Sequence, residues 1–575
     1  MKDLSRSRPF CLFGAKGAGK TTLIRDFAGK FSNWIHLDLE TAVDRAIFNF
    51  DVPAEETLKA ISFLKGKEIR GNGTLIVLDE LYKCPEAIRW LERWTCGQAD
   101  ERTGGQGDRW TCGQADERTG GQADGQTGGR ADGRTGGQAD EWTDGQADGR
   151  SGGRADRRTG GQADGRTGGR ADGRTGGQAD GRKGGKVNGR TGEWGDKGTG
   201  NQEVDPANGN IGIKGPLVVA TSSIMTSALA SLTDPESGMM QAHYLHPFSF
   251  EEFLLALDDL PAIGAFREVP VPNYAYEKLL NYFHLYALIG GMPEIMSEYA
   301  ATRHLTGLKN IYEKIESGFI HCLEDITTGA KSRELTMEVL QNTYPYAATR
   351  ISFNRFGNLE KGSREIGRVF RTFEQAFLLR LLHPVTAAGM PLVPDKMKFP
   401  RIQMLDTGLV NYFSGIQKPL FRSHDMNAIF EGQIARQAVG QEMLATERPF
   451  KQEKENVGLS TAGINRDGFE TQPALTFWVR NKAQSTAEVD FIIPYDDLAV
   501  PVVVKSGEPG RLRSLHQFID LAPHSFAVRL YAGKLTVQQT QTIRGKKFYL
   551  LNLPYFLAGK IKDHLKGFIR LANGG

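Results

Sequence analysis

The sequence predicts an α/β protein. Its N-terminal part is built on a parallel sheet with crossover helices, interrupted by a long low-complexity insert. Three observations carry this. Short apolar runs alternate with amphipathic stretches over residues 1–94 and resume near 216. A glycine-rich turn, Gly14 to Thr21, stands between the first apolar run and the first helical pattern. Between Thr95 and about Arg190 an octapeptide repeats (TGGRADGR, TGGQADGR) and contains no aliphatic residue larger than alanine.

Phe10-Cys11-Leu12-Phe13 reads as a short buried strand, and Thr21 to Phe31 as a helix. Trp34 to Leu39 alternates like a second strand, and Glu55 to Leu64 is helical. Thr74 to Leu78 is a continuous apolar run, the pattern of a central parallel strand buried on both faces. Glu86 to Trp94 is helical again. Beyond the insert, Pro216 to Ala220 is a further buried strand, and His246 to Phe253 is a turn entering a helix. Residues 275–390 are mostly helical. Strands return at Leu475–Val479, Glu488–Ile493 and Val500–Val504, with a helix after Leu512.

Of the 575 residues, 39% are hydrophobic, and the insert explains that low share. It holds roughly half of the 69 glycines in about a fifth of the length. Its units have no apolar residue to bury, so a disordered insert in a surface loop is expected. Calcium-binding β-rolls repeat every nine residues and carry an apolar position, which this unit lacks. Arg and Asp nearly balance along it, unlike a basic RNA-binding tail. Closure entropy grows only logarithmically with loop length, so a core can tolerate the insert.

A net charge of +3 gives no argument for nucleic acid or membrane. The five cysteines are sparse and odd in number, as in a reducing compartment. No apolar run approaches the ~18–20 residues of a membrane span. A cytoplasmic protein without membrane partners is expected.

Gly14-Ala15-Lys16-Gly17-Ala18-Gly19-Lys20-Thr21 fits the phosphate-binding pattern G-x-x-x-x-G-K-[ST] in full, and Thr22 follows on the same helix. Glycines let backbone N–H groups turn toward phosphates, and the helix brings its positive N-terminal end. Lys20 is expected on the β- and γ-phosphates and Thr21 on Mg²⁺. ATP with Mg²⁺ is the expected ligand. Leu75-Ile76-Val77-Leu78 ends in Asp79-Glu80. Asp79 is expected in the Mg²⁺ shell, and Glu80 on the attacking water. Ser223, with Ser222 beside it, ends the strand after the insert and is expected to sense the γ-phosphate. Glu80, Lys20 and Ser223 are thus the candidate catalytic set.

With these motifs the chain resembles bacterial AAA-type P-loop ATPases that carry a C-terminal domain of unknown function with a restriction-nuclease-like fold. The resemblance rests on the P-loop, LIVLDELYKCPEAI around Asp79, HPFSFEEFLLAL around Phe250 and GGMPEIM from Gly290. It rests further on KFPRIQMLDTGLVNYF around Asp406 and on EVDFIIP with VVVKSG up to Gly507. It spans nearly everything but the insert. It implies an ATPase core over 1–94 and 211–258, the insert over 95–210, and a helical lid over 259–300. A winged-helix-like middle over 301–395 and a nuclease-like domain over 396–575 complete it.

Three departures stand out. The insert separates the Asp79 strand from the Ser223 strand. Relatives often have Gly-Arg where this chain has Gly238-Met239. In the nuclease pattern Asp490 and Lys505 match, with Glu442 as a candidate helix acid, but Val503 stands where an acid should help hold metal. An inactive domain is therefore expected, one that binds a nucleic acid or a protein. Gly362 to Val369 reads either as a basic recognition helix or as plain packing. The expected function is an ATPase whose nucleotide state controls the C-terminal domains, with oligomers possible. A nucleotide-binding switch or scaffold with negligible turnover is the alternative.

Overall fold

The computed structural model describes residues 9–48, 52–69, 73–100, 215–234, 239–418, 432–446, 475–482, 485–505 and 512–572, and, as backbone only, short strands between 108 and 190. Among the described residues no helix is long and apolar enough to cross a membrane.

Five strands form the N-terminal sheet: β1 (Phe10–Phe13), β2 (Asn33–Asp38), β3 (Thr74–Asp79), β4 (Leu217–Ser222) and β5 (Gln241–Tyr244). All pair in parallel, in the order β5-β1-β4-β3-β2. Both faces are buried, which explains the unbroken apolar runs. In β1, Cys11 and Phe13 join a core with Ile76, Leu78 and Trp90, while Phe10 and Leu12 face Ile24, Phe27 and Val77. Each fully buried large side chain contributes about 1.5–3 kcal/mol. The insert enters after helix α2 (Pro85–Asp100) and leaves before β4, yet β4 lies between β1 and β3. The three strands that carry the motifs therefore end side by side.

The expected disorder over 95–210 falls on residues whose side chains lie outside the described part. The repeat backbone forms short strands, each parallel to the copy sixteen residues on, as Gln114 with Arg130 and Arg130 with Gln146. An eight-residue unit places equivalent residues opposite one another at that spacing.

Helices dominate from Phe250 to Gln375. Ser249 caps the first, α3 (Phe250–Ala256), in a reciprocal capping box with Glu252. The helical expectation to 390 fails at its end. Helix α5 (Ser363–Gln375) is followed by β6 (Leu379–Leu382) and β7 (Pro384–Val385). Phe377 turns with a positive φ of 58°, and Pro384 lacks the N–H that a helix would need. β6 pairs antiparallel with β8 (Arg401–Met404), and Arg350 bridges to Arg401 on the far side of β8.

The C-terminal sheet has seven strands in the order β7-β9-β10-β11-β12-β14-β13. They are β9 (Thr476–Val479), β10 (Glu488–Tyr495), β11 (Leu498–Val504), β12 (Phe526–Tyr531), β13 (Thr536–Gln541) and β14 (Lys547–Pro554). Helix α6 (Gln433–Ala445) packs beside it. One continuous core joins this sheet to the middle helices and to Ala15 of the glycine turn.

Candidate functional site

The glycine turn follows β1 and feeds helix α1 (Lys20–Ala28). Gly17 and Gly19 adopt φ of 80° and 92°, which side chains other than glycine rarely take. At Gly14 the limit is space, since a Cβ would lie 2.6 Å from the Leu245 carbonyl oxygen.

Lys20 is 4% exposed. Its Nζ donates to the carbonyls of Gly14 (2.9 Å) and Ala15 (3.2 Å) and to Ser223 Oγ (2.7 Å). All three ammonium protons are therefore used. Burial lowers its pKa, although Glu80 (Oε1 3.7 Å away) pulls the other way.

Ser223 passes the connection on. Its Oγ donates to Glu80 Oε1 (2.6 Å), and its backbone N–H donates to Glu80 Oε2 (2.8 Å). Glu80 sits just past the end of β3 in the left-handed region, with φ 57°. Its N–H donates to Thr221 Oγ1 at 3.0 Å. A left-handed glutamate costs of order 1–3 kcal/mol, and these bonds hold it there.

Asp79 ends β3 opposite Asp38 of β2. Thr21 Oγ1 donates to its Oδ2 at 3.0 Å, Thr221 Oγ1 donates to its Oδ1, and His36 Nε2 lies 3.2 Å from Oδ2. Burial opposes its charge, but the bonds from His36, Thr221 and Thr21 outweigh it and hold its pKa at about 2. Asp79 is thus a fixed anion next to the Thr21 hydroxyl, a donor set that suits Mg²⁺. Among the described residues no three His, Cys, Asp or Glu side chains cluster as a metal cage. Such a cage is not required, because Mg²⁺ at phosphates usually has one or two protein ligands and several waters.

The expected residues Lys20, Thr21, Asp79, Glu80 and Ser223 therefore meet in one hydrogen-bonded network. Ser222 does not join it, because its Oγ donates to the Ile224 carbonyl instead. Thr22 is exposed, and Lys16 pairs with Glu40 (2.7 Å) and reaches Glu80 (3.5 Å). Sequence reading missed Thr221, His36 and Glu40. The one signal for Thr221 was its place before Ser222-Ser223 at a strand end.

The turn from Gly290 to Pro293 covers the glycine loop. A Cβ on Gly17 or Gly19 would lie 3.4 Å from Met292 or from Pro293. Helix α4 (Leu308–Ile326) continues the cover, with Gly318 against Lys16. Just past Glu80, Tyr82 and Lys83 reach Asp325 of α4, at 2.9 and 2.5 Å.

Asp406 anchors that turn. Its carboxylate accepts from the N–H of Gly291 (2.6 Å) and of Leu409 (3.0 Å) and from Gln441 of α6 (3.2 Å). Any side chain at Gly290 would collide with it. On the same helix, Glu442 accepts from the Phe250 N–H at 2.8 Å, which caps α3. Glu442 is thus committed to a helix cap. Asp490 accepts from the Val504 N–H (2.8 Å) and pairs with Arg436 (3.5 Å), not with Lys505.

Burial raises the pKa of Asp406 to about 6 and that of Glu442 to about 7. The folded chain therefore keeps these protons to higher pH than the unfolded chain. Their contribution favours folding most below the ordinary carboxylate range and is lost as pH rises through about 6 to 7. Glu442→Gln is expected to flatten this fall. Thermal unfolding at steps from pH 5 to pH 8 measures it, and an unaltered pH slope would count against the assignment.

Residues 6–101 match the family described as an AAA domain, and residues 280–420 match a domain of unknown function (DUF8612). Neither the comparison with curated proteins nor that with solved structures gave a match. The chain thus carries an AAA domain at its N-terminus and a DUF8612 region that includes the turn over the glycine loop.

Proposed function

We propose that this protein binds ATP with Mg²⁺ and hydrolyses it, and that the bound nucleotide sets the position of the C-terminal half. The observation that carries this is the Lys20–Ser223–Glu80 chain, which joins the start of α1 to the residues just past β4 and β3. The AAA-domain match supports a nucleotide-binding, ATPase-like function.

In this reading the backbone from Gly14 through Gly19, with Lys16 and Lys20, holds the phosphates, and Thr21 and Asp79 hold Mg²⁺. The metal supplies charge neutralisation at the phosphate oxygens. All three Lys20 protons are engaged within the protein, so a phosphate must take the place of at least one carbonyl or of Ser223. If Ser223 gives up Lys20, its own two bonds still hold Glu80 in place. The carboxylate keeps spare acceptor capacity through which it can take a proton from water.

The cover formed by Gly290–Pro293 and α4 touches the glycine loop and Tyr82–Lys83 alike. Asp406 and Gln441 tie it to α6 and so to the C-terminal sheet. That is a physical route from nucleotide to partner. We assign the core to 1–94 with 211–258, the lid to 259–300 and the middle to 301–395. The nuclease-like unit at 396–575 is assigned a binding role, and the insert at 95–210 is taken as dispensable for the core. The buried free thiols Cys11, Cys84 and Cys322 fit a reducing, cytoplasmic setting.

The second reading, a switch with negligible turnover, has one observation in its favour: Ser223 occupies both carboxylate oxygens of Glu80. Phosphate release by the purified chain, with Mg²⁺ and then with excess chelator, separates the two. Mg²⁺-dependent turnover is expected. ATP binding without turnover would establish the switch, and no binding at all would remove both readings.

A further inference from the structure

Helix α5 is strongly two-sided. Ile366, Gly367, Val369, Phe370 and Phe373 are buried. On the opposite side Arg364, Arg368 and Arg371 are exposed. Their spacing of four and then three residues puts them on one stripe, spanning about 10 Å of helix at 1.5 Å per residue. Among the described residues no carboxylate lies within ion-pair reach of any of the three. Glu365, the exposed acid of this helix, accepts from the Gly362 N–H (3.2 Å). Arg364 and Arg368 stand one turn apart, where like charges oppose folding, and of the three only Arg371 has an acid, the partly buried Glu374, acting on it along the helix.

The surroundings add to the charge. Arg380 and Lys396 act, with Arg371, on the charge of Glu374 near the end of the helix. The loop between β7 and β8 carries Lys396, Lys398 and a 94% exposed Met397. In chain order the helix Ala330–Thr343 is followed by the Arg350 bridge, the short turn Phe356–Asn358, then α5, β6, the loop and β8. This is a helix, edge strand, turn, exposed helix and hairpin, an arrangement that presents one helix outward beside a loop.

We infer that the arginine face of α5 is a docking surface for double-stranded DNA. A helix about 10–12 Å wide fits the B-form major groove, about 12 Å across. Arginines spaced over two turns meet phosphates or guanine edges there. The inference deepens the proposed function by naming the partner of the C-terminal half, and it rests on that reading only for its control by nucleotide.

The test is fluorescence anisotropy of a labelled 30-base-pair duplex with the full chain, titrated without nucleotide at several salt concentrations. The wild-type chain is expected to bind with a steep salt dependence. The variant R364E/R368E/R371E is expected to lose about 100-fold or more in affinity and to show a shallower salt slope. The conservative R364K/R368K/R371K should retain most of the non-specific affinity. ATP binding measured on the same proteins reports folding and tests the nucleotide reading separately. No duplex binding at low salt by a chain that binds ATP would overturn the inference. Equal binding by the glutamate variant, or tighter binding of single-stranded RNA than of duplex, would overturn it too.

Discussion

Lys20→Ala is expected to reduce ATP affinity by about 100-fold or more, because charge-assisted bonds to phosphate contribute about 1.5–3 kcal/mol each. Lys20 sits where the backbone carbonyls of Gly14 and Ala15 converge, so no neighbouring cation replaces it. Lys16, earlier in the same loop, is engaged by Glu40 and Glu80. The folded state should suffer far less. Burying an ammonium is unfavourable in itself, and Glu80 keeps both bonds to Ser223. Isothermal titration with ATP and Mg²⁺, together with a melting curve, tests both halves. Unchanged ATP affinity would refute the nucleotide site. A large fall in melting temperature without nucleotide would instead make Lys20 a structural residue.

For Glu80→Gln the expected result is the opposite pattern: turnover falls by about 10²- to 10⁴-fold while ATP affinity changes little. Glutamine has nearly the same shape and can still accept from the Ser223 N–H, so the left-handed turn at position 80 should persist. What is lost is the ability to take a proton. The variant should therefore bind ATP and keep it, which single-turnover phosphate release reads directly. Retained turnover would remove Glu80 as the base. A coupled loss of ATP affinity would show that its charge chiefly positions Lys20, 3.7 Å from Oε1.

Much of the site was legible because its signals are local. The loop Gly14–Thr21 lies within one turn and one helix start, and Asp79-Glu80 ends one apolar strand. Nothing local marks His36 as a neighbour of Asp79. That contact exists because β2 and β3 align Asp38 with Asp79, which brings the His36 side chain within 3.2 Å. Glu442 misled for the same reason. Its place on a helix ahead of Asp490 suited the helix acid of a nuclease pattern, while the fold turns it toward the Phe250 N–H. Strands β5, β12, β13 and β14 were also missed. β5 and β13 have little apolar alternation of their own and are held as edge strands by a neighbour's backbone.

The sequence by itself determined the alternating α/β order, the glycine loop, the acid pair and the limits of the repeat. Each depends on periodicity or on backbone freedom within about ten residues. Only the tertiary structure decided that β4 lies between β1 and β3 across more than a hundred intervening residues. That placement joins Lys20, Ser223 and Glu80. It is fixed by the burial of both sheet faces, a long-range term that no local pattern encodes. The same holds for the turn at Gly290 to Pro293. Its seat on the glycine loop follows from Asp406 beneath it, a carboxylate more than a hundred residues away.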